Sequence, residues 1–252
     1  MRNLSTVDID GIELAFATAG EVDRPAVVLL HALGEDSRDW DVVVEALALE
    51  HRVYALDLRG HGGSAQPGTY SLELMRADVL GFLHALALDG VSLVGHSLGG
   101  AVAYLVAQAQ PRRVRRLVLE EAPAPLPATP PRQVPPRPPG TLSFDWQVVA
   151  ALTAQRNHPD PAWWDGLSRI TARTLVIAGG PDSHLPQGQQ VALARRIPDA
   201  AHLTINAGHG VHAACPDAFL AALLPFLAKR PSPGAGRVGR RQGDAADGRC
   251  RR

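Results

Sequence analysis

The chain has 252 residues, 46% of them apolar and 20% charged, and its formal charges cancel. That is length enough for one large domain with a full core, and the composition is neither that of a fibrous nor of a disordered protein. No apolar run reaches the roughly 18 residues a membrane span needs, and Met1-Arg2-Asn3-Leu4-Ser5-Thr6-Val7-Asp8 lacks the apolar core of a secretory leader. Two cysteines, Cys215 and Cys250, are too few for a disulfide framework. A cytoplasmic location is expected.

The zero net charge conceals an asymmetry. Lys229 to Arg252 holds eight basic and two acidic residues, so this tail carries +6 and residues 1–228 carry −6. Its Gly, Pro and Arg content with almost no apolar side chains predicts a disordered basic segment over 230–252. A basic tail can touch nucleic acid or anionic lipid, but a solvated terminus is the simpler reading, and neither partner is expected.

In chain order, Val7-Asp8-Ile9-Asp10-Gly11-Ile12-Glu13-Leu14 alternates around Asp-Gly, which predicts a hairpin. Ala26 to His31 is a continuous apolar run, as in a strand buried on both faces. A helix is expected over Arg38–Leu49 and a strand over Arg52–Leu58. Ser71 reads as an N-cap, with Leu72, Met75, Val79, Phe82, Leu83 and Leu86 at helical spacing behind it. The strand Val91–Val94, a Gly95-His96-Ser97-Leu98-Gly99 turn and a helix from Ala101 follow. Val114–Glu120 is the next strand. After an interruption come strand Thr174–Ala178, helix Gln187–Arg196, strand His202–Ile205 and a last helix from Pro216, which Pro225 should bend or shorten. The alternation predicts an α/β fold with a mostly parallel sheet of about eight strands and helices on both faces. The interruption, 122–172, starts with a proline-dense stretch, and Phe144–Gln155 and Asp160–Ile170 read as two short helices, the second carrying Trp163 and Trp164. It reads as a small cap, dividing a core into 1–121 and 173–229.

Chemistry concentrates on the strand ends. Gly-x-Ser-x-Gly between a strand and a helix is the context of a nucleophile elbow, with Ser97 as nucleophile. A serine hydroxyl needs a base, and the base needs a carboxylate to fix its tautomer. His209 follows one later strand and Asp182 another, in the order Ser97, Asp182, His209. His212 competes with His209, and Glu120 and Glu121 compete with Asp182. No HExxH or Cys/His cluster and no Gly-x-Gly-x-x-Gly opening a helix occur, so neither a metal nor a dinucleotide cofactor is expected.

These blocks, with His31-Ala32-Leu33-Gly34, Trp40, Asp57-Leu58-Arg59-Gly60-His61-Gly62-Gly63-Ser64 and Gly208-His209 followed by Pro216, make residues 7–228 resemble the α/β-hydrolase fold superfamily. The branch most similar contains small esterases, lactonases and cofactor-free haloperoxidase-type perhydrolases. The resemblance implies an oxyanion hole from the backbone N–H groups of Leu33 and Leu98. Ala32 stands where that family usually has glycine, and a positive φ there would strain alanine by about 1 kcal/mol. It further implies that Asp57, Arg59, His61, His31 and His96 are scaffold residues, and that some relatives keep their acid after the strand that ends here at Glu120.

A serine at the elbow, where epoxide hydrolases and haloalkane dehalogenases of this fold have aspartate, suits attack on a carbonyl. The expected function is hydrolysis of a small carboxylic ester or lactone through an acyl-enzyme on Ser97. Thioester substrates, perhydrolysis, carbon–carbon bond hydrolysis and a non-catalytic ligand-binding role are the alternatives. Trp146, Trp163, Trp164 and Val211 are candidates for the pocket lining. No basic cluster near the triad is legible, which points to a largely apolar small-molecule substrate.

Overall fold

The computed structural model describes residues 3–228, so the expected tail lies outside the described residues. The hairpin is β1 (Asn3–Ile9) and β2 (Ile12–Ala19). Asp10 and Gly11 both take positive φ, 52° and 85°, as the two-residue turn of twisted antiparallel strands demands. Six further strands follow: β3 (Ala26–Leu30), β4 (Arg52–Leu56), β5 (Val91–His96), β6 (Val114–Glu120), β7 (Arg173–Ala178) and β8 (Ala200–Thr204). They form one eight-stranded sheet in the order β1-β2-β4-β3-β5-β6-β7-β8. β1, β2 and β4 pair antiparallel, and every other pairing is parallel.

Strand periodicity sorts the core into two layers. In β3, Val28 and Leu30 face one cluster, shared with α2 (Leu72–Ala85), α3 (Leu98–Ala109) and α6 (Gln187–Arg196); Val27 and Leu29 face the other. That second cluster packs under α1 (Asp41–Leu47) and α8 (Pro216–Ala228). Ser71 caps α2, its Oγ accepting from Leu74 N–H at 3.1 Å. A 3-10 turn, Ser37–Trp40, precedes α1, and the four-residue α7 (Val211–Ala214) precedes α8.

α8 departs from expectation. It runs through Pro225 to Ala228. Proline deletes one backbone hydrogen bond at a cost of about 3 kcal/mol, while Phe219, Leu223, Phe226 and Leu227 bury on either side of it; each fully buried side chain of that size contributes about 1.5–3 kcal/mol. Packing therefore outweighs the lost bond.

Between β6 and β7 the chain carries the proline-dense stretch, then α4 (Gln147–Asn157), α5 (Pro161–Gly166) and a 3-10 turn at Leu167–Arg169. This insertion is tied to the body. Asp145 N–H donates to Gly60 O at 2.8 Å and Tyr70 Oη to Asp145 at 2.6 Å.

Candidate active site

The register of the parallel strands brings the expected site residues to one edge of the sheet. His96 at the end of β5 pairs with Glu120 at the end of β6, which pairs with Ile177 near the end of β7. Beyond those ends the ladder continues through loops: Ser97 N–H donates to Glu120 O, Glu121 N–H to Ile177 O, and Gly208 N–H to Gly179 O, each at 2.9 Å.

Ser97 occupies the single residue between β5 and α3, with φ 50° and ψ −108°. A non-glycine residue held there stores about 1–3 kcal/mol of strain. The close packing of strand and helix enforces it. A Cβ on Gly95 would lie 2.3 Å from the carbonyl oxygen of Gly99, and one on Gly99 would lie 2.1 Å from that of Leu30.

His209, in the loop after β8, sits with Nδ1 3.1 Å from Oε2 of Glu121. An ionised carboxylate only accepts, so Nδ1 carries the hydrogen and Nε2 holds the free lone pair. Glu121 is buried and adopts φ 47°. It also accepts from Gly179 N–H at 2.6 Å, from Gln187 Nε2 at 3.3 Å and from Ser183 Oγ. Burial pushes its carboxyl up, but the hydrogen bonds from His209, Ser183, Gly179 and Gln187 outweigh burial and hold it below the ordinary glutamate value.

Asp182, the carboxylate expected from the sequence, is exposed and does not bond to His209. Packing of its loop is the reason. A Cβ on Gly179 would lie 1.8 Å from Gly208 O, so the strand end is pressed flat against the His209 loop. The loop thereby turns backbone N–H and Ser183 toward Glu121 rather than Asp182 toward the histidine. Of the two glutamates weighed as alternatives, Glu121 meets His209, and Glu120 meets His212 through Nδ1 at 2.8 and 2.9 Å and through backbone N–H at 2.8 Å.

His212 belongs to a second, buried network. Its Nε2 is 3.3 Å from Asp39 Oδ2, its ring stacks on Trp40 at 4.1 Å, and His96 Nδ1 is 3.7 Å from the same aspartate oxygen. Burial pushes both rings down, but Glu120 and Asp39 outweigh it, raising His96 and holding His212 at about 10. Among the described residues, Asp39, His96 and His212 are the group whose side-chain atoms, within 4.8 Å of one another, have a spacing able to grip a metal ion. His209, by contrast, has a side chain about one-quarter exposed.

A cavity of about 330 Å³ opens over the elbow, lined by Ser97, Leu33 and Leu98 among others. The backbone N–H groups of Leu33 and Leu98 donate to nothing among the described residues. Ala32 is not among the residues with positive φ; the left-handed residue of that loop is Gly34, φ 87°. The anticipated strain at Ala32 is therefore absent. Ser97 Oγ and His209 Nε2 are not hydrogen-bonded to each other, a contact that commonly tightens only around bound substrate.

Of the four pocket candidates, Trp163 lines this cavity. Trp146 lines a separate outer cleft, Val211 is buried in the core under α8, and Trp164 packs half-buried against the opposite cluster. The expectation of a site free of basic residues fails. Arg132 and Arg156, both from the insertion, line the cavity. His184 was also not singled out from the sequence, and its ring lies 4.1 Å from that of His209. Nothing local in the sequence marks these three: the docking of the insertion decides where the two arginines face, and the loop between β7 and α6 carries His184 to His209.

Comparison with known proteins agrees with this architecture. Residues 25–159 match the alpha/beta hydrolase fold family. The putative esterase/lipase of Haemophilus influenzae is 27% identical over 245 residues, 82% of this chain and 85% of its own length. Mouse epoxide hydrolase 4 is 34% identical over 118 residues, 46% of this chain; the match spans only 33% of that protein's own length. The enol-lactonase of Burkholderia xenovorans LB400 superposes with a TM-score of 0.78 at 25% identity, over 89% of this chain and all of that one. The chain belongs to the α/β-hydrolase fold family.

Proposed function

We propose that this protein cleaves a small carboxylic ester or lactone through an acyl-enzyme on Ser97, with His209 as base and Glu121 as the carboxylate that orients it. The observation that carries this reading is the pair His209 Nδ1 to Glu121 Oε2, 3.1 Å, set beside an elbow serine that lines the cavity. With Nδ1 engaged, the Nε2 lone pair of His209 takes the Ser97 proton as the hydroxyl oxygen attacks the carbonyl carbon. The oxyanion that forms is met by the N–H groups of Leu33 and Leu98, both unengaged among the described residues. The imidazolium then protonates the leaving alcohol. Water, deprotonated by the same histidine, releases the acid and regenerates Ser97.

The elbow residue supports a carbonyl rather than an epoxide substrate, because epoxide hydrolases of this fold attack saturated carbon with an aspartate. The cavity of about 330 Å³ supports a small substrate, being at the lower end of ligand pockets, roughly 300–1,000 Å³. The test is labelling with a fluorophosphonate and turnover of short p-nitrophenyl esters by wild type and Ser97→Ala. Labelling in the wild type alone is expected; labelling that persists in Ser97→Ala sinks the assignment.

A further inference from the structure

Arg156 is the conspicuous misfit of the cavity. It lies in the last turn of α4 and lines the space over Ser97, yet no carboxylate or other acceptor among the described residues pairs with its guanidinium. Burial, and then the repulsion of Arg132, push its basicity down to about 10. The C-terminal carbonyls of α4 offer only about half a charge. Arg156 is half-buried, so its guanidinium gives up part of its hydration with no protein partner in return, and on the wall of the cavity it is placed to meet an anion that arrives with the ligand.

The surroundings hold this residue and its neighbour in place. Gln155, one position earlier, is anchored to the start of α2, donating from Nε2 to Glu73 at 2.7 Å and accepting from Leu72 N–H at 2.8 Å. Asn157, one position later, closes a two-way amide pair with Arg132, accepting its N–H at 2.8 Å and donating to its carbonyl oxygen at 2.9 Å. The end of α4 thus fixes the backbone from which both arginines reach the cavity. Proline is dense in the stretch that carries Arg132, and Pro123, Pro125 and Pro130 line the same space. Fixed φ at each proline makes that wall stiff without backbone hydrogen bonds. Burial, then His209, whose tilted ring lies 4.1 Å away, and then both arginines push His184 down.

We propose that Arg156, assisted by Arg132, receives a carboxylate carried by the substrate, so that the enzyme acts on esters or lactones bearing a free carboxylate beyond an apolar segment. This rests on the reading of Ser97 as nucleophile. Leu72, Leu98, Leu126 and Leu152 line the same cavity and would accommodate the intervening methylenes. Hydrolysis then adds water across the ester C–O bond and leaves the carboxylate itself untouched.

The test uses two matched ester sets. In one the acyl chain ends either in a carboxylate or in its methyl ester; in the other the carboxylate sits on the alcohol part. A preference of about tenfold or more in kcat/KM for the carboxylate form in at least one set is expected, since hydrogen bonds to charged groups carry about 1.5–3 kcal/mol. Arg156→Gln should abolish that preference, and Arg156→Lys should retain part of it. Free glutarate or adipate should raise the melting temperature of wild type and not of Arg156→Gln, a readout independent of Ser97 chemistry. Arg156→Gln should itself be as stable as wild type or more so, because an unpaired cation has been removed. No carboxylate preference in either set, or a preference that survives Arg156→Gln, overturns the proposal. Loss of fluorophosphonate labelling and of neutral-ester turnover in the wild type would instead overturn the nucleophile, with the dicarboxylate shift still reporting on Arg156.

Discussion

His96 Nε2 donates a 2.8 Å hydrogen bond to the carbonyl oxygen of His209. The residue before the elbow serine thus holds the backbone of the candidate base, and the two rings stand 4.9 Å apart. A positional error near 1 Å at a reacting group can cost about a hundredfold in rate. His96→Ala is therefore expected to lower kcat by about ten- to a hundredfold with KM for a neutral ester little changed. His96→Gln, whose amide can donate to the same carbonyl, should recover part of the loss. Equal losses in His96→Ala and His96→Gln would mean the ring matters for packing alone.

The Glu121 carboxylate makes a sharper prediction. An amide in its place favours the wrong tautomer of the histidine and costs about 10⁴ in kcat in triads of this kind. Glu121→Gln should show a loss of that order with the fold intact by circular dichroism. Asp182→Asn should remain within about twofold of wild type, as expected of an exposed side chain away from such features. The reverse ranking would return the acid to Asp182.

The two carboxylates also mark the limit of what a sequence discloses. Ser97 and His209 are legible because their signals are local: glycines flank a strand-to-helix turn, and a histidine follows a strand. The hairpin at Asp10-Gly11 and the cap at Ser71 are legible for the same reason. Asp182 and Glu121 both follow strands and are equivalent by that criterion. What separates them is tertiary: Glu121 accepts from Gly179 N–H, Ser183 Oγ and His209, contributed by distant loops, while Asp182 is exposed. Arg156 is hidden likewise. The sequence pattern ends that helix at Gln155, one residue short of it, and its side of the cavity depends on how Gln155 docks α4 onto α2. At Pro225 local chemistry argued for a helix end, and burial of Phe226 and Leu227 overrode it.

His61 gives a pH-dependent signature. Its ring is buried, stacks on Phe144 of the insertion at 5.4 Å and approaches Arg59 O at 3.1 Å. Burial, reinforced by the neighbouring His31, pushes it down to about 4. Between the ordinary value of 6.5 and about 4 the unfolded chain binds a proton that the folded chain refuses. Stability from this group is thus complete above pH 6.5 and is lost as pH falls toward 4. Urea unfolding should show His61→Phe losing less stability than wild type between about pH 7.5 and pH 4.5. Parallel curves for the two proteins would remove His61 as a source of acid sensitivity.

Arg59 and Asp78 pair inside the core through two hydrogen bonds, both side chains nearly inaccessible. Burial pushes the Asp78 carboxyl up by more than Arg59 pulls it down, leaving it above its ordinary value. The pair therefore contributes little net stability in its ionised form, and its loss is costly only when one partner is left behind. Asp78→Ala should destabilise by about 3–5 kcal/mol, stranding a buried guanidinium. The double variant Arg59→Met with Asp78→Leu should come back to within about 1 kcal/mol of wild type or exceed it, as apolar replacement of buried ion pairs often does. Ester turnover per folded molecule should stay unchanged in the double variant, since the pair touches none of the groups around Ser97. Destabilisation of the double variant as large as that of Asp78→Ala would instead show that the charges themselves organise the loop from Asp57 to Ser64.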